Sequence, residues 1–172
     1  STNTVSRYTT RLIPQLGDSA RVVLPISLNR FDGDKIKREQ YDAEIDTLLR
    51  FTDSQLKTGN ITSVDVVSTG ELQQLNWGVE KAREIEEYFL TTHHKMLSKQ
   101  TSIHTWSNFI KQLGEQKYEE NYKLIKSASS PGSNWHDLML KTQEATKVTT
   151  DIETSLEYQR REYALILSTQ NL

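Results

Sequence analysis

The chain has no cysteine among its 172 residues. That excludes disulfides, iron–sulfur sites and a thiol nucleophile, and it fits a cytoplasmic home better than a secreted one. No apolar run exceeds six residues, so no segment is expected to span a membrane. The opening "STNTVSRYTT" lacks the apolar stretch of a signal peptide. Net charge is also small: 21 Lys and Arg against 23 Asp and Glu leave −2. This argues against a general nucleic-acid binder but leaves room for a local basic face. Neither G-x-G-x-x-G nor a Walker motif can be read, so no nucleotide cofactor is expected. There is no H-E-x-x-H, and His104 and His136 stand alone, so no metal is expected. The G-x-S-x-G elbow of ordinary serine hydrolases is missing too.

What remains is a chain with 35% hydrophobic and 26% charged residues. That composition suits one folded domain with a real core. Residues 1–20 read as a polar arm. "RVVLPI" reads as a buried strand, with Pro25 marking an edge or the strand's end. "NRFDGDK" is loop. From Gln40, the spacing of Ile45, Leu48, Leu49 and Leu56 predicts a helix that stops before Gly59-Asn60. "ITSVDVVST" is a second strand, and "ELQQLNW" a loop or short helical piece. Residues 79–98 form the longest helical pattern, with Val79, Ala82, Ile85, Phe89 and Met96 or Leu97 on one face. "TSIHTWSNF" reads as a third short strand or an extended link. Three helices follow, "YEENYKLIKSA", "WHDLMLKTQEATKV" and "DIETSLEYQRREYALIL", with "SSPGSN" breaking the first from the second. Alternating strands and helices predict an α/β fold with a parallel sheet flanked by helices. Ligands of such sheets sit beyond the carboxyl ends of the strands, where Ser27 and Ser68-Thr69-Gly70 fall.

Three features could carry chemistry. Ser27 ends the first strand. From position alone, a serine that caps the strand or satisfies a loop amide is the first reading, and a nucleophile the second. Tyr158 and Glu162 are four apart on the last helix and share a face. A phenol beside a carboxylate can bind an ammonium or move a proton. Spacing alone favours a solvated face with Arg160, Arg161 and Glu162 in surface pairs. The segment "THHKMLSK" offers His93, His94, Lys95 and Lys99, with Lys95 and Lys99 one turn apart and both histidines expected at the surface. It can contact phosphates, or simply complement the helix dipole.

Taken in order, these pieces resemble the tRNA-dependent cyclodipeptide synthases. The resemblance covers roughly residues 20 to 167. "VVLPIS" looks like that family's first strand and nucleophilic serine, and "VDVVSTGELQQLNW" its second strand and following loop. The helix through "HHKMLSK" is similar to its tRNA-contacting helix. "IHTWSNF", "YEENYKLI" and "NWHDLMLKTQEATKV" follow its middle section, and "YQRREYALIL" its Tyr-x-x-x-Glu helix.

The resemblance implies a Rossmann-like three-layer catalytic domain over residues 21–172, related to class I aminoacyl-tRNA synthetases. It implies a cytoplasmic, monomeric enzyme that needs no cofactor and no metal. Its substrates would be two aminoacyl-tRNAs, joined into a diketopiperazine by a ping-pong route. Ser27 would carry the first aminoacyl group. Tyr158 and Glu162 would hold its ammonium. Asn29 and Val67 would contact substrate, and His93, His94, Lys95 and Lys99 would contact tRNA. The loop after Ser27 is shortened here to Leu28-Asn29-Arg30. No counterpart of the family's later active-site tyrosine precedes "STQNL", so either a truncated C-terminal part or a real loss of that tyrosine is expected. The alternatives are a Rossmann-like tRNA- or protein-binding module without turnover, and a serine esterase.

Overall fold

Val22, Leu24 and Ile26 alternate with less buried neighbours along the first strand, so one face of it is apolar. The computed structural model describes residues 20–146 and 151–170. The arm at 1–19 and the end of the helix expected through Val148 lie outside the described residues. The described chain falls into two compact units, residues 20–68 with 83–104, and residues 69–82 with 105–146 and 151–170.

The first unit holds a three-stranded parallel sheet in the order β1-β2-β3: β1 Ala20–Ile26, β2 Ile61–Ser68 and β3 Thr101–His104. Parallel strands need crossovers, supplied here by helix α1 (Lys35–Lys57) and by helices α2 (Gln74–Trp77) and α3 (Val79–His93). The sheet is flanked by helices, and the arrangement is Rossmann-like. Val64, Val66 and Val67 of the central strand are all buried, as expected of a strand covered on both faces. Pro25 lies on β1, an edge of the described sheet, where its missing N–H costs no ladder bond.

Ile26 pairs with Ser68, so these two residues share a sheet face with Val22 and Leu24. The Ser68 hydroxyl donates to Glu86 of α3, which places α3 on that face. α1 meets the end of α3 there, through His93. α1 begins at Lys35, earlier than the apolar spacing from Gln40 predicts. The Asp34 carboxylate accepts the Lys37 N–H at 3.1 Å, and Gly33, at φ +85°, makes the turn before it. On the opposite face Asp65 collects Arg21 Nε from β1 at 2.5 Å and His104 Nε2 from β3 at 2.8 Å, a charged tie across all three strands.

The second unit is helical: α2, then α4 (Trp106–Leu113), α5 (Glu115–Ala128), α6 (Asn134–Thr146) and α7 (Ile152–Ser168). α5 packs along α7, and Ile125, Met139 and Leu156 form a buried cluster with Leu140, Tyr163 and Leu167 against it. α4 corrects the sequence reading of "TWSNF" as extended. The Thr105 hydroxyl caps it by accepting from Asn108 N, and Trp106 and Phe109, three apart, are both buried. Gly114, at φ +110°, separates α4 from α5, a conformation that costs any side chain. Val79, expected on the apolar face of α3, is 47% exposed.

Candidate active site

β1 delivers Ser27 beyond its carboxyl end. Ile26 and Leu28, both almost fully buried, grip the chain on either side, and Ser27 between them is exposed. The alternation that buries its neighbours is what turns the serine outward. Its carbonyl accepts the Tyr41 hydroxyl of α1 at 2.7 Å, and the Tyr41 ring lies 5.4 Å from that of Phe31. The strand exit is therefore anchored by main chain, leaving the Ser27 side chain facing solvent. Asn29 is also exposed. Val67 is 0% exposed, a core residue of β2 paired with Pro25 and His104. It offers no surface to a substrate, which corrects its expected contact role. The reason is its central strand, whose two faces are both covered.

On α7, the Asp151 carboxylate caps the helix by accepting Thr154 N at 3.0 Å. Tyr158 and Glu162 follow on one face, one turn apart. The Tyr158 hydroxyl accepts from Gln73 Nε2 at 3.4 Å, and Gln73 is buried and held in turn by Asn76 at 2.9 Å. Sequence reasoning missed this contact of Gln73 with Tyr158, although Gln73 lies inside "STGELQQLNW".

Glu162 does not join the surface pairs expected of "RRE". Glu157 takes that part. It accepts the Tyr122 hydroxyl at 2.7 and 2.8 Å and Arg161 Nε at 3.1 Å, and it stands 3.6 Å from Arg160 Nη1. Arg161 also reaches Glu119 at 3.2 Å and lies 3.6 Å over the Tyr122 ring. Both arginines are engaged, and among the described residues Glu162 has no hydrogen-bond or ion-pair partner. Burial alone pushes its carboxyl from 4.5 up to about 7. It keeps partial access to solvent, so a solute can reach it.

The basic segment is changed most. α3 ends at His93, and His94–Met96 form a single 3₁₀ turn. Lys95 and Lys99 are both exposed but no longer lie one α-turn apart, because the chain is extended at Leu97. His94 is exposed as expected. His93 is 1% exposed and bonded between two aspartates, which excludes it as a phosphate contact and corrects its expected surface role. It continues the core series of Ala82 and Phe89 at intervals of seven and four.

Among the described residues no group of three or more His, Asp or Glu is arranged to hold a metal ion. No helix among them is long and apolar enough to cross a membrane. No family model matches the sequence, and no curated protein matches it.

Proposed function

We propose that the protein is a tRNA-dependent cyclodipeptide synthase, an aminoacyltransferase that joins two aminoacyl-tRNAs. The observation that carries this reading is Glu162: a carboxylate raised to about 7 by burial, one turn from Tyr158. Such a group gains most from a cation brought to it, because an ammonium supplies the counter-charge that burial withholds. The α-ammonium of an aminoacyl group is such a cation, and the Tyr158 phenol is a second polar contact for it. A carboxyl near 7 is also suited to exchanging a proton with an amine.

In this scheme Ser27 Oγ attacks the ester carbonyl of the first aminoacyl-tRNA. The ester C–O bond breaks, the tRNA leaves as its ribose hydroxyl, and the serine proton ends on that hydroxyl. The amine of the serine-bound aminoacyl group then attacks the ester carbonyl of the second aminoacyl-tRNA, whose ester C–O bond breaks and whose tRNA leaves as its ribose hydroxyl, giving a dipeptidyl-serine. Glu162 takes up the proton released as the peptide bond forms. The dipeptidyl chain closes on itself and frees Ser27. The ester is already activated, so the reaction needs no ATP. Exposed Lys95, Lys99 and His94 supply the phosphate contacts for tRNA.

The test is mass spectrometry of extracts from cells expressing the chain. Diketopiperazines absent from a Glu162→Gln control support the reading. Extracts identical to those of an empty-vector culture contradict it.

A further inference from the structure

Within the second unit, three cations converge on one cavity. Lys123 and Lys126 line it from α5 and Arg160 from α7, together with the serines 127, 129 and 130. The cavity is about 470 Å³, in the size range of small-molecule sites. Among the described residues that line it there is no carboxylate. The Arg160 guanidinium is held from behind: Nε donates to the Ser129 hydroxyl at 3.2 Å, and Nη1 stands 3.6 Å from Glu157. Arg160 is only 9% exposed and Ser129 is fully buried, so the fork is fixed by packing rather than free in solvent. A guanidinium has five N–H donors, and these two contacts leave others for whatever enters.

Lys126 in the last turn of α5 could be explained by the helix dipole. That explanation reaches neither Lys123, a turn earlier, nor Arg160, which belongs to another helix. Their shared feature is the cavity. A fixed fork and two exposed ammonium groups, with the Ser127 hydroxyl beside them, match a tetrahedral oxyanion with more than one negative charge; the Ser129 and Ser130 hydroxyls donate instead to the Ile125 and Ser127 carbonyls. We infer that this cavity binds a phosphate group, that of a small phosphorylated molecule or of an RNA backbone. The inference stands apart from the synthase reading and does not need Ser27 or Glu162.

Isothermal titration of the full chain with inorganic pyrophosphate tests it. Saturable binding is expected, weakened about tenfold or more by Lys123→Gln with Lys126→Gln, and likewise by Ser130→Asp. All three positions are exposed, so these variants keep the fold, and their melting temperatures check this. Absence of saturable binding overturns the inference, as does binding that both variants leave unchanged. A second arm uses uncharged tRNA. Competition between tRNA and pyrophosphate, lost in the variants, assigns the site to RNA backbone. Bound pyrophosphate that leaves tRNA affinity untouched assigns it to a small phosphorylated ligand.

Discussion

Both ring nitrogens of His93 face a carboxylate: Nδ1 lies 2.8 Å from Asp46 and Nε2 3.2 Å from Asp42. The Tyr88 hydroxyl donates to the same Asp42 at 2.6 Å, and Phe89 lies 5.1 Å from the imidazole. One buried side chain thus fastens the end of α3 to α1. His93→Ala removes this tie and leaves two carboxylates facing a gap. Those carboxylates keep some contact with water, so the expected loss is about 1–3 kcal/mol in urea unfolding. His94→Ala, next door and exposed, should change stability by less than about 0.5 kcal/mol.

Glu162 predicts a pH-dependent cost. Its carboxyl is raised from 4.5 to about 7, so the folded chain holds a proton that the unfolded chain has released between those values. Stability from this group is therefore full below about pH 4.5 and falls as pH rises towards 7. Glu162→Gln should stabilise the protein by up to about 3 kcal/mol at pH 8 and leave it unchanged near pH 4. Unfolding curves at the two pH values check this. A variant equally stabilised at both would contradict the burial of an ionisable group.

Asp65 has the opposite sign. Burial pushes its carboxyl up, but the hydrogen bonds from Arg21 and His104 outweigh that and hold it below 3.8. Its contribution is present above the unfolded value and is lost as pH falls below about 4. Asp65→Asn should cost about 1–3 kcal/mol at pH 7, with half-exposed Arg21 limiting the loss. The difference from wild type should shrink in acid unfolding below pH 4.

The revised basic segment makes a narrower claim on tRNA. Replacing Lys95 and Lys99 by Ala should weaken tRNA binding and reduce its salt slope by about 2. An unchanged slope would assign these lysines to the end of α3 alone.

The sequence showed β1 and β2 through dense β-branched runs, and α5 and α7 through helical spacing and breakers. α4 escaped because "TWSNF", with two aromatics in five residues, read equally as extended chain. The signal was Thr105 followed three residues later by Asn108, a cap rather than a periodicity. His93 was misjudged by its polarity, although its interval from Phe89 put it on the buried face. Glu162 was visible as a motif, but not its lack of a partner among the described residues. That follows from Glu157, which spacing ranks no higher than its neighbours and which takes both arginines. The cavity at Arg160 could not be read at all, since it joins residues more than thirty positions apart.

The central claim is that Ser27 carries an aminoacyl group. Incubation of the intact protein with a pool of charged tRNAs, followed by mass spectrometry of the protein, tests it directly. The account predicts a mass increase of one aminoacyl residue, mapped to Ser27 and absent in Ser27→Ala. An unmodified protein with every tRNA pool, or an adduct that persists in Ser27→Ala, would contradict it.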